Sequence, residues 1–206
     1  MNQLDLFGNL EGYSFPQQLL EYTPAFLARA EADFLLEKFI ETVPWQQTEL
    51  KIVDKVIPTP RLIAWFGDKQ NSYQLAGRNI EVIPWTSELS SLRERIEKAS
   101  GHTFNSVLLN YYRDGNDSVS WHRDKESELG DRPVIASLSL GQDRNFDFRS
   151  VTDHKLKYSL PLAHGSLLLM KGDLQTGWEH RIAKSAAIKL PRINLTFRLV
   201  KTALDR

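Results

Sequence analysis

Pro191-Arg192-Ile193-Asn194-Leu195-Thr196-Phe197-Arg198 alternates polar and apolar residues from Arg192 onward. Successive side chains of a β-strand point to opposite faces. Ile193, Leu195 and Phe197 therefore share one face, and Arg192, Asn194, Thr196 and Arg198 share the other. The strand expected over Ile193–Val200 is the last of a series. Ser106–Tyr112, Ser118–Trp121, Val134–Leu140, Asn145–Arg149, Lys157–Leu162, Ser166–Lys171 and Trp178–Ile182 are also strand-like. Turn chemistry separates several of them, at Asp114-Gly115-Asn116-Asp117, Gly141-Gln142-Asp143 and Lys171-Gly172-Asp173. A parallel sheet would need a helix between strands, and this half of the chain offers none. The series predicts a two-sheet sandwich or jelly roll.

Ahead of it lie two helical patterns. Residues 1–22 read as an irregular arm, and Thr23-Pro24 as the N-cap and first residue of a helix. Leu27, Ala30 and Phe34 fall on one face of that helix, with Leu35 flanking it, until Pro44 ends the pattern. Leu89, Leu92, Ile96 and Ala99 mark a second helix, closed by Gly101. Both are expected to buttress a sheet. The fold class is α+β, mainly β: one domain over residues 1–206, with no linker or repeat dividing it.

The chain has 206 residues and no cysteine, which removes disulfides, thiolate zinc sites, iron–sulfur ligation and a cysteine nucleophile. Any metal must be held by its five histidines and its carboxylates. Lys plus Arg and Asp plus Glu number 26 each, so no global basic field argues for nucleic acid. The start, Met1-Asn-Gln-Leu-Asp-Leu-Phe-Gly, lacks the basic n-region and long apolar core of a signal peptide, and no apolar run is long enough to span a bilayer. A soluble, cytoplasmic chain is expected.

In Trp121-His122-Arg123-Asp124 the His and Asp are two apart and share a strand face. His180, in Gly177-Trp178-Glu179-His180-Arg181, would supply a third ligand. Two His and one carboxylate with open positions suit non-haem iron(II), although the same set can hold hydrolytic zinc, and a lone His-x-Asp is usually structural. Arg192 and Arg198, with Asn194 and Thr196 between them, suit a small dicarboxylate, because guanidinium makes paired charge-assisted bonds to a carboxylate. The competing reading is a solvated strand face. Asn110 and Tyr112 form a similar pair, and a structural role competes there too.

Taken together, Asn110-x-Tyr112, His122-x-Asp124, His180 and Arg192-x-Asn194-x-Thr196-x-Arg198 resemble, in order and spacing, the AlkB family of iron(II)- and 2-oxoglutarate-dependent dioxygenases. Pro133–Gly141 and Leu162–Met170 look like its intervening strands. The resemblance implies a double-stranded β-helix core over about 104–200 and a nucleotide-recognition lid over about 50–80. His122, Asp124 and His180 would be the iron ligands, and Arg192 would pair with the distal carboxylate of 2-oxoglutarate. Asn110, Tyr112, Asn194, Thr196 and Arg198 would complete the pocket.

The implied cofactors are Fe(II), 2-oxoglutarate and O₂, and the implied activity is oxidative demethylation of N-alkylated bases in DNA. The same chemistry on RNA or on a protein side chain is the alternative, with a non-catalytic binding jelly roll third. On the substrate side Arg61 and Tyr73 match the family's lid, and Tyr73 would stack on a flipped base. Glu126 would bond the base's exocyclic amine. Leu75 and Ala76 depart from the duplex-repair pattern, so either one stacking contact is missing or Trp65 supplies it. Ile52-Val53-Asp54 lies where that member carries an apolar finger, so Val53 is a wedge candidate, against an ordinary strand role. The partner implied is alkylated DNA, with RNA second, for a monomeric protein away from membranes.

Overall fold

The computed structural model describes residues 15–52, 55–68, 73–75, 78–80, 82–124 and 127–201. In chain order the elements are β1 (Leu20–Thr23), α1 (Arg29–Thr42), β2 (Glu49–Ile52), β3 (Lys55–Pro58), β4 (Leu62–Gly67), β5 (Tyr73–Leu75), β6 (Arg78–Ile80), α2 (Ser87–Ser100), β7 (Ser106–Tyr112), β8 (Val119–His122), a 3₁₀ turn (Ser127–Leu129), β9 (Ile135–Gly141), β10 (Arg144–Ser150), β11 (Lys157–Leu162), β12 (Leu167–Met170), α3 (Gly172–Gly177), β13 (Trp178–Ile182) and β14 (Arg192–Arg198). All eight strands expected after Phe104 are present, with ends moved by no more than two residues.

They form two antiparallel sheets. One is six-stranded in the order β1-β12-β9-β14-β7-β4; the other is four-stranded in the order β11-β10-β13-β8. This is the jelly-roll arrangement, and alternation along each strand gives it two cores. Ile193, Leu195 and Phe197 of β14, with Val107 and Leu109 of β7 and Leu138 and Leu140 of β9, face α1 and α2. Leu108, Ile135, Leu168 and Met170 face the second sheet, where they meet Phe146, Phe148, Leu160 and Leu162. Burying each such side chain contributes about 1.5–3 kcal/mol. The six-stranded sheet is thus covered on both sides, by helices on one and by the smaller sheet on the other.

Several expectations in the N-terminal half are corrected. The arm is not irregular to residue 22: Leu20 and Tyr22 are buried, β1 pairs with β12, and the Tyr22 hydroxyl donates to the Pro161 carbonyl at 3.1 Å. That pairing draws Thr23 into a strand, so α1 starts at Arg29, after an Ala28 that caps nothing with its side chain. The buried stripe of α1 is Ala32, Leu35 and Phe39, whereas Phe34 is 57% exposed. The second helix matches its reading better. Thr86 Oγ1 accepts from the Leu89 N–H, and Gly101 closes the helix at φ 72°, although Ala99 is exposed. Within the region read as a lid, β4 is a strand of the six-stranded sheet, flanked by the separate hairpins β2–β3 and β5–β6. Trp65 of β4 is 1% exposed in the core between the sheets, so it is no stacking surface for a base.

One glycine sets how closely two central strands run. Gly141, at φ 90°, lies where a Cβ would sit 2.4 Å from the Pro191 carbonyl oxygen, so only glycine lets β9 run this close to the start of β14.

Candidate metal centre and anion pocket

β14 lies between β7 and β9, and its register sets Arg192 beside Tyr112 and Gly141, and Asn194 beside Asn110 and Ser139. All seven residues of β14 are buried. The solvated-face reading therefore fails: the polar side of this strand is buried between the sheets. Opposite it, β13 pairs with β8 so that His180 and His122 are direct partners, and the register shifts just past them, between His180 and Ile182. Such irregularities re-aim side chains next to functional sites.

The His122, Asp124 and His180 ligand atoms all lie within 4.8 Å of one another. Among the described residues this is the group of three or more such side chains with metal-binding geometry. His122 Nδ1 is 2.8 Å from the Ser120 carbonyl, which fixes the proton on that nitrogen and leaves Nε2 as a donor to a metal. His180 stacks on Phe146 at 5.1 Å between ring centroids and is 5% exposed. Burial, reinforced by the neighbouring His122, pushes its imidazole down to about 3, against the opposing pull of Asp124. It is therefore neutral near pH 7, as a ligand must be.

Asp124 is nearly inaccessible, with His180 Nε2 3.6 Å from one carboxylate oxygen and Arg198 Nη2 donating to the other at 2.7 Å. Burial alone would raise this carboxyl; the Arg198 guanidinium, with smaller contributions from the neighbouring His180, His122 and Arg61, outweighs it and holds it below the usual carboxylate range.

A cavity of about 90 Å³ extends from this cluster along β14, bounded by Asn110, Tyr112, Arg192, Asn194, Thr196 and Arg198 and, on its apolar side, by Leu108, Phe146, Leu162, Met170 and Ile182. The structure thus brings together the three metal-ligand candidates and all six anion-pocket candidates. Arg192 is the most telling of these. It is 1% exposed, its guanidinium lies over the Tyr112 ring at 5.2 Å, and Nη2 donates to Ser139 Oγ at 3.0 Å. Its Nε and Nη1 have no partner among the described residues. Burial pushes the group's proton affinity down. Two unpaired guanidinium donors in a buried site call for an anion, and a carboxylate matches the fork.

Asn194 and Thr196 serve this wall indirectly. Asn194 Nδ2 donates to Ser137 Oγ at 2.7 Å, and Thr196 Oγ1 donates to Asn194 Oδ1 at 3.0 Å. Ser137 and Ser139 were not singled out from the sequence, though they alternate with Ala136, Leu138 and Leu140 and so mark a polar face of β9. Gln175 was also missed; its Oε1 accepts the Asp124 backbone N–H at 3.1 Å.

Of the substrate-side candidates, Arg61 reaches the pocket. It follows Pro60, whose carbonyl accepts the Ser118 N–H, and its Nε donates to Asn110 Oδ1 at 2.8 Å. Tyr73 and Leu75 lie on β5. Val53, Asp54, Ala76 and Glu126 fall outside the described residues. Among the described residues no helix is long and apolar enough to cross a membrane.

Set against known proteins, residues 20–198 match the model of the 2OG-Fe(II) oxygenase superfamily. The chain is 42% identical over 186 residues to the alpha-ketoglutarate-dependent dioxygenase alkB homolog 3 of Mus musculus, covering 86% of this chain and 64% of that protein. It is 37% identical over 189 residues to the DNA oxidative demethylase ALKBH2 of Homo sapiens, covering 87% and 72%. A solved structure of OsALKBH1 aligns with a TM-score of 0.61 over 91% of this chain and 99% of that one, at 16% identity, a likeness of fold. The chain spans less than two thirds of the length of the alkB homolog 3 proteins it matches, 64% in the mouse case.

Proposed function

Because the chain belongs to the 2OG-Fe(II) oxygenase superfamily, and within it to the AlkB family, we propose that it removes alkyl groups from the nitrogens of DNA bases by oxidation. The observation that carries this reading is the pairing, in one cavity, of a two-His, one-carboxylate cluster with a buried arginine that has two unpaired donors. The residues fit Fe(II) and 2-oxoglutarate on donor chemistry. His122, Asp124 and His180 would hold the metal and leave positions for other ligands, and Arg192 would take the distal carboxylate of the cosubstrate. When bound, iron with 2-oxoglutarate would supply the oxidising power that turns an N-methyl group into an N-hydroxymethyl group: one oxygen atom of O₂ enters that group and the other the succinate formed, with CO₂, from 2-oxoglutarate. Loss of formaldehyde then leaves the unmodified base.

The chain's own residues bind, orient and exclude water. Ser139 and Tyr112 hold the Arg192 fork in place, and Asn194, Thr196 and Ser137 form a connected hydrogen-bond row beside it. Arg198 keeps Asp124 ionised. Phe146, Leu162, Met170 and Ile182 keep the far wall dry. Arg61, Tyr73, Leu75, Glu126 and Val53 are proposed to receive the base, with the Arg61–Asn110 bond joining that side to the anion pocket. We place the activity in a cytoplasmic monomer.

The test is mass spectrometry of DNA oligonucleotides carrying 1-methyladenine or 3-methylcytosine, after incubation with protein, Fe(II), ascorbate and 2-oxoglutarate. Loss of one methyl group, absent with Asp124→Ala and with EDTA, is the expected result. Matched RNA oligonucleotides run in competition decide between the nucleic acids. Succinate formation without methyl loss would leave the oxygenase and refute the substrate. Neither product from iron-loaded protein would favour a binding module.

A further inference from the structure

We infer that α3, through Gln175, acts as a clasp on the Asp124 backbone, and that Gln175 is a positioning residue for the metal. The inference rests on reading His122, Asp124 and His180 as metal ligands.

The need for a clasp follows from where β8 stops. Its last ladder pair with β13 is His122 with His180, and the strand ends at His122. Asp124 therefore lies two residues beyond the sheet, in a buried position where no ladder bond holds its backbone. A carboxylate ligand needs a fixed backbone as well as a fixed side chain, and a buried N–H needs an acceptor. Arg198 fixes the side chain. The backbone N–H is accepted by Gln175 Oε1 at 3.1 Å, and Gln175 is itself 1% exposed.

The rest of α3 supports the same segment. Arg123 Nη1 donates to the Thr176 carbonyl at 3.3 Å, on one side of Asp124. Further along the chain, Arg132 Nη2 pairs with Asp173 Oδ1 at 2.5 Å. Arg132 holds a left-handed φ of 53°, and a Cβ at Gly172 would sit 2.4 Å from its carbonyl oxygen. Asp173, Gln175 and Thr176 of one short helix thus hold Arg132, Asp124 and Arg123 in turn. Among the described residues, the nitrogen of the Gln175 amide donates to the Met170 sulfur alone, at 3.9 Å. A buried amide with so weak a second contact is poorly explained by stability alone; its strong bond is the one to Asp124. Partners of this kind, one step removed from the metal, typically change affinity ~10–100-fold when lost.

The test is a Co(II) titration of metal-stripped full-length protein, read by the visible ligand-field bands. Gln175→Met keeps the volume and removes the acceptor; Gln175→Asn keeps an amide too short to reach and covers the case in which the first variant fails to fold. Thr176→Val keeps the backbone carbonyl that accepts from Arg123 and removes only the hydroxyl's bonds within α3, so it alters the helix without touching Asp124; Asp124→Ala reports on the ligand reading. The expected result is a ~10–100-fold weaker Co(II) dissociation constant and a changed band pattern for both Gln175 variants. Their metal-free near-ultraviolet dichroism should match the parent, and Thr176→Val should bind as the parent does. Gln175 variants with the parent's affinity and bands would overturn the clasp while leaving the ligand reading intact. Equal weakening by Thr176→Val would also overturn it, by assigning the effect to the helix as a whole. If the parent bound no Co(II), or Asp124→Ala bound it as well as the parent, the ligand reading itself would fall.

Discussion

Arg192 and Arg198 stand on the same strand, on the same face, and are almost equally buried, yet the fold treats the two ends differently. At the Arg198 end the protein supplies its own anion: Asp124 accepts from the guanidinium at 2.7 Å and is held ionised for the metal cluster. At the Arg192 end it supplies a serine hydroxyl and a phenol ring, and two donors have no partner among the described residues. One charge is spent on building the site and the other is reserved for what binds there. The same residue type thus does opposite work six positions apart.

Removing the shared carboxylate should break the contrast most severely. Asp124→Ala is expected to lower turnover at least ~1,000-fold and to abolish tight metal binding, measured by succinate release and Co(II) titration. Arg192→Met should come next. It should weaken 2-oxoglutarate binding ~100-fold and leave Co(II) affinity within about threefold of the parent, a separation that calorimetry on metal-loaded protein can detect. Arg198→Met should do something else: with its partner gone, Asp124 is a buried uncompensated charge, and the metal-free fold should lose about 3–5 kcal/mol by denaturant unfolding. Divalent metal should restore more stability to this variant than to the parent, because the ion replaces the missing cation.

A pH series sharpens the same end of the site. In metal-free protein His180 stays neutral down to about 3, whereas in the unfolded chain it takes a proton near 6.5. The unfolded state therefore binds more protons in that interval, and stability should fall as pH drops from about 6.5 toward 3. The depressed Asp124 carboxyl adds to the loss at the acid end, as pH falls through and below its unfolded value near 3.8. Denaturation midpoints in EDTA at pH 8, 6 and 4.5 check this, and His180→Leu should flatten the upper part of the slope. The smallest effect concerns the wall: Phe146→Leu, which removes the stack on His180, should change Co(II) affinity only a few-fold.

What was legible in the sequence was what repeats with a short period. β14 announced both its faces through its two-residue period, and His122-x-Asp124 named two members of the metal cluster although β8 ends at His122 and Asp124 lies beyond the strand. The first helix was misjudged because Thr23-Pro24 is a good local start signal, and the long-range pairing of Leu20–Thr23 with β12 overrides it. Trp65 was misplaced for a similar reason: proximity to lid residues in the chain says nothing of which sheet face a side chain joins. Gln175 was invisible because its role rests on a contact across 51 positions, made by a short helix inside what reads as a turn. Ser137 and Ser139 carried a signal, a polar period of two in an apolar run, that was open to reading.

The most direct test of the contrast between the two arginines is calorimetric titration of 2-oxoglutarate into Mn(II)-loaded protein, compared with metal-free protein and with Arg192→Met. The account predicts saturable one-to-one binding that requires the metal and weakens ~100-fold in the variant. Equal binding without metal, or undiminished binding by Arg192→Met, would contradict it.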